Sequence, residues 1–89
     1  MTEEEMTGKL VQHLQSLLAP MVSAQSVVPT ARIRDELGLD SIGLIGLLFF
    51  IEEELSVDMQ PFAAAMADSE TVVDVARVAL RALARGAVS

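Results

Sequence analysis

Cysteine is absent from this sequence, so neither a disulfide framework nor a thiolate metal site is available, and any thiol chemistry has to arrive on a cofactor. That absence suits a reducing compartment, and a cytoplasmic location is expected. Tryptophan and tyrosine are missing as well, and 3 Phe are the only aromatics, which argues against the stacking platforms that hold nucleic-acid bases. Basic side chains are scarce: 6 Lys and Arg stand against 13 Asp and Glu, for a formal charge of −7. Such a surface repels phosphate backbones and favours basic protein partners, so no nucleic acid is expected to bind. Long apolar runs are lacking too. The longest, Ile42 to Ile51, contains Gly43 and Gly46 and falls far short of the roughly 20 residues of a membrane span. The opening MTEEEMTGK is acidic where a secretory signal would be basic. Neither a membrane nor a secretory role is expected.

What is present reads as one small helical domain over residues 1–89, expected to be monomeric. Thr2 followed by Glu5 forms a capping-box pattern, with three acids at the positive end of the helix it opens. Met6, Leu10, Val11, Leu14, Leu17 and Leu18 then recur at helical spacing, predicting a first helix over about residues 3–18. His13 falls at the edge of that stripe and reads as structural. Residues 19–39 hold Pro20, Pro29 and Gly38 among scattered apolar residues, predicting a long ordered loop with a short helical turn near Ile33–Leu37. A second helix is predicted to begin at Asp40 or Ser41 and to run to about Leu55, with Asp40 able to act as its cap. One face of it, Leu44, Leu47, Leu48, Ile51 and Leu55, is assigned to the core. Ile42, Ile45 and Phe49 point elsewhere and make a candidate contact surface.

Pro61 suits the first turn of a short third helix, FAAAMA. Thr71 and Asp74 repeat the capping box. Val72, Val75, Ala76, Ala79 and Leu83 make a core stripe that ends near Gly86, predicting a fourth helix over about residues 72–85. The fold class is therefore all-α: a four-helix bundle with a long first loop and a short third helix. Gly43 and Gly46 each cost about 1 kcal/mol relative to Ala inside a helix. Close approach of a partner or of a bound group is one reason for them, and a helix held by its core regardless is the other. Glu52, Glu53 and Glu54 read either as a solvated face or as a site for basic side chains of a partner. Arg77, Arg81 and Arg85 read as a solvated basic row.

The stretch ELGLDSIGLIGLLFFIEEEL, Glu36 to Leu55, resembles the attachment segment of acyl carrier proteins, where a Gly-Leu-Asp-Ser-Leu-like motif opens the second helix and acids lie near its end. Ile42 stands where Leu is usual. SVDMQP and SETVVDVARVAL resemble the family's later segments, so the likeness covers roughly the last two thirds of the chain. It implies a non-enzymatic carrier: Ser41 receives a 4′-phosphopantetheine arm from coenzyme A through a separate phosphopantetheinyl transferase, with Asp40 as motif residue and helix cap. A helix start suits that role, because free N–H groups and the dipole tolerate a phosphodiester. Acyl- or aminoacyl-loading and ketosynthase-like enzymes would be the partners, meeting Ile42, Ile45, Phe49 and Glu53. Ile51, Leu55, Met59, Phe62 and Met66 would line a shelter for the acyl chain, Met being adaptable to a variable guest.

The carriers of fatty acid synthesis bear acids two and five residues after the modified serine, where this chain has Gly43 and Gly46. That difference points toward a specialised pathway of polyketide, fatty-acid-like or hybrid type. A free-standing peptidyl or aminoacyl carrier remains an alternative. A helical interaction module without the arm is a third reading.

Overall fold

The computed structural model describes residues 1–86, so the last three residues of the expected domain lie outside the described residues. Four α-helices carry the architecture: α1 Glu3–Leu18, α2 Ser41–Leu55, α3 Ala63–Asp68 and α4 Val72–Ala84. Both capping boxes form. Thr2 Oγ1 accepts from the Glu5 amide at 3.1 Å while Glu5 accepts from the Thr2 amide at 3.0 Å. Thr71 and Asp74 make the same reciprocal pair at the start of α4. These bonds hold the carboxyl groups of Glu5 and Asp74 below their ordinary pKa, because each accepts from backbone N–H groups.

α1 packs along α4, burying Met6, Leu10 and Leu14 against Val75, Ala76 and Ala79. The small residues of α4 leave room for the larger ones of α1, so the interface fills without large aromatics. Leu44, Leu47 and Ile51 of α2 and Met66 of α3 join the same core. Leu83, expected in the core stripe of α4, is exposed. Val78 and Ala82 are buried in its place, so the buried face is rotated toward them. α4 ends at Ala84 with Arg85 as its C-cap, and Gly86 follows in the left-handed region at φ 66.

The long loop is pinned, not free. Val27, Ala31, Ile33, Leu37 and Leu39 are all buried. The Ile33 amide donates to Glu70 O at 2.8 Å, the Val72 amide to Ala31 O at 3.2 Å and the Val73 amide to Pro29 O at 2.9 Å. Those bonds fasten the loop to the start of α4. The expected helical turn near Ile33–Leu37 is a hydrogen-bonded turn without helix, and the loop's one 3₁₀ segment lies earlier, at Ala24–Ser26. Ser23 caps that segment with its side chain, a local signal available in the sequence. Pro61 opens a 3₁₀ turn, Gln60–Phe62, that leads into α3.

His13 lies against Phe50 of α2, ring centroids 3.9 Å apart and planes 13° from parallel. Partial burial there lowers its pKa below the usual value, with the Glu54 carboxylate opposing. A folded-state pKa below the unfolded one means that the unfolded chain binds the proton more readily. Stability is therefore expected to fall as pH drops through the window just below 6.5 and to level off below the folded-state pKa. Thermal midpoints between about pH 7 and pH 5 check this, since His13→Gln should remove that part of the slope.

Candidate functional site

Local chemistry sets the start of α2. Asp40 sits in extended backbone, its Oδ1 accepts from the Gly43 amide at 2.9 Å, and its carbonyl accepts from the Leu44 amide at 3.0 Å. The carboxylate is thus committed to capping. Ser41 follows as the first helical residue, is exposed, and its hydroxyl makes no hydrogen bond among the described residues. The loop aims this helix start from behind: Leu39 is buried, and its amide donates to Ile33 O at 3.0 Å.

Gly43 has a structural reason. A Cβ there would meet Leu39 Cδ2 at 2.7 Å, so the close approach at this glycine is made by the chain's own Leu39. A Cβ at Gly46 would meet nothing within 4 Å beyond its own stretch of helix, which leaves the helix surface low and open. Beside it Ile42, Ile45 and Phe49 are 78%, 52% and 59% exposed. Together they form an apolar strip running from the Ser41 turn along α2.

A half-open cleft of about 190 Å³ adjoins Ser41, walled by Leu44, Ile45 and Leu48 of α2 and by Ala63, Met66 and Ala67 of α3, with Arg34 at its edge. Of the five residues expected to line an acyl shelter, Met66 borders this cleft. Ile51, Met59 and Phe62 are instead buried in the packed core, and Leu55 is partly buried against it. Ile45, assigned from sequence to the contact strip, serves both the strip and the cleft. Arg34, Ala63 and Ala67 escaped the sequence reading, because a short Ala-rich helix shows no periodicity that would say which side faces α2. A larger groove, about 560 Å³, is lined by Glu3, Glu4, Thr7, Gly8, Val11, Pro29 and Val73 and shares no residue with the Ser41 cleft.

The three acids near the end of α2 divide. Glu52 accepts from the Met59 amide at 2.8 Å and so fastens the turn after the helix. Glu54 pairs with Lys9 of α1 at 3.1 Å. Glu53 is exposed and makes no ion pair or hydrogen bond among the described residues.

An unbonded hydroxyl on an exposed helix start thus lies beside an apolar cleft, with a hydrogen-bonded loop behind it. The model of the family described as "Phosphopantetheine attachment site" matches residues 8–79, and the chain belongs to that family. Its members carry a 4′-phosphopantetheine group on a serine. A comparison with curated proteins finds no match. The residues present fit such a group: the hydroxyl is accessible, the carboxylate of Asp40 is turned into the helix start, and apolar walls lie within reach of a flexible arm. Among the described residues no helix is long and apolar enough to cross a membrane.

Proposed function

We propose that Ser41 is the attachment serine and that the chain, acting without catalysis of its own, presents acyl groups to partner enzymes of a specialised biosynthetic pathway. The observation that carries this is the exposed, unbonded Ser41 hydroxyl at a capped helix start within the matched family segment. When bound, the arm supplies a terminal thiol that holds the cargo as a thioester. The chain's own residues position: Asp40 holds the helix start, Leu39 and Ile33 hold the loop behind it, and Ile42, Ile45 and Phe49 offer a contact strip. Intact mass after incubation with coenzyme A, magnesium and a broad-specificity phosphopantetheinyl transferase tests the reading. An unchanged mass for the wild-type chain would leave a helical interaction module as the better account.

Acyl cargo is favoured over aminoacyl cargo by the apolar cleft, whose lining offers one cation and no carboxylate to meet an amine. The cleft, with Met66 as its adaptable wall, is the proposed shelter for the acyl chain, and the buried Ile51, Met59 and Phe62, with Leu55, form its floor if a longer chain enters. Melting of the unloaded and medium-chain acyl forms decides. A sheltered chain should raise the midpoint by at least about 4 °C, corresponding to about 1 kcal/mol in a domain of this size. Equal midpoints would place the chain in solvent.

A further inference from the structure

Of the six cations, Arg34 and Arg81 have neither an ion pair nor an aromatic contact among the described residues, and of these two Arg34 is the one that borders the Ser41 cleft. Lys9 pairs with Glu54, Arg32 with Asp35, and Arg77 with both Glu3 and Asp74. Arg85 lies over the Phe62 ring at 5.7 Å. Arg34 is in no ion pair among the described residues, in a chain where acids outnumber bases 13 to 6. The acids nearest it in sequence are engaged elsewhere: Asp35 with Arg32, Glu36 with the Arg32 amide at 2.8 Å, and Asp40 with the Gly43 amide. Glu70 shares a second, polar cleft with Arg34 but forms no ion pair with it. One of the guanidinium's five donors is used, Nη2 to Ala67 O at 2.9 Å. That bond satisfies a carbonyl in the last turn of α3 and holds the guanidinium at the edge of the cleft it shares with Ser41.

We infer that Arg34 is a positioning residue for the arm: its remaining donors pair with the phosphodiester joined to Ser41 and turn the arm across the Leu44–Met66 cleft. This rests on Ser41 being the attachment point. A guanidinium suits the task, because its planar fork matches two phosphate oxygens and it stays charged at every working pH. The phosphodiester is the anion that must lie nearest, being joined directly to the Ser41 oxygen. Anchorage at Ala67 fixes the guanidinium in advance, so little side-chain freedom is lost when the anion arrives.

The test uses the wild-type chain, Arg34→Gln and Arg34→Lys, each in unmodified and holo form, with intact mass verifying complete loading. Two quantities are read: the phosphorus-31 resonance of the holo form, and the difference in thermal midpoint between holo and unmodified forms. The wild-type holo form should melt about 2–4 °C above the unmodified one, the shift a single exposed ion pair produces in a domain of this size. Arg34→Gln should remove that difference and move the resonance to that of the denatured holo chain, whose phosphodiester is fully solvated. Arg34→Lys should keep part of both, retaining charge but losing the fork. High salt should move the wild-type resonance the same way as Arg34→Gln, because an exposed pair is screened, and this measurement stands even where a variant folds poorly.

Equal lowering of both forms by Arg34→Gln with an unmoved, salt-insensitive resonance would overturn the inference, leaving Arg34 only as a prop for α3. A midpoint difference that arises only on acyl loading would also overturn it, transferring the role to the cargo's oxygen. A wild-type chain that gains no mass defeats the Ser41 reading instead, and is told apart from both by the first measurement.

Discussion

Ser41→Ala is expected to abolish phosphopantetheine loading completely while leaving the fold intact. The hydroxyl makes no hydrogen bond among the described residues, so its removal leaves no buried partner unsatisfied, and Ala is the best helix former for the first turn. Helix capping is unaffected, since Asp40 supplies it from the preceding position. The measurement is intact mass with circular dichroism on the same sample. An Ala variant that still gains the arm's mass would move the attachment to another serine. Loss of helicity alongside loss of loading would leave the chemical role of the hydroxyl unproved.

Phe49→Ala is expected to lower turnover by a cognate partner about 30-fold, the equivalent of the roughly 2 kcal/mol that an interface anchor contributes. Phe49 is the largest side chain on the exposed strip, and the open surface at Gly46 lets a partner backbone come close beside it. Glu53→Gln should change turnover by well under tenfold, because a solvated charge rarely contributes more than about 1 kcal/mol. The check is kcat/KM for both variants across a salt series. Steep salt dependence with a tolerant Phe49 would mean that charge steering dominates docking despite the glycines that replace the usual acids. Ile45 gives this surface a second aspect: it borders the cleft as well as the strip, so anything that presses on Ile45 also touches a wall of the Ser41 cleft.

Features encoded within four residues were legible in the sequence. Thr2 with Glu5, Thr71 with Asp74, and Asp40 ahead of Ser41 each placed a helix start correctly, since capping depends on side chains reaching their own backbone. The two faces of α2 were readable as well, because its periodicity separates Leu44, Leu47 and Ile51 from Ile42 and Phe49. What depended on packing between elements was not. Nothing in FAAAMA says whether Ala63 and Ala67 or Phe62 would face the Ser41 side, and the wall of the cleft turned on that choice. Arg34 was invisible for the same reason, its one bond reaching across 33 residues to Ala67. The acids at 52–54 looked alike in a row, yet Glu52 holds a backbone amide, Glu54 pairs with Lys9 and Glu53 has no partner among the described residues.

The fastening of the loop to the start of α4 has a consequence for the chain as it is made. Residues emerge from the ribosome N-terminus first. α1, the loop and α2 are therefore complete while Glu70, Val72 and Val73 are still unsynthesised. Until those residues arrive, Pro29, Ala31 and Ile33 lack the backbone partners that hold them, and Leu39, whose amide rests on Ile33, has no fixed platform from which to aim the helix start. A chain broken off before α4 would keep its serine and its motif but lack the backbone partners that fasten the loop behind them.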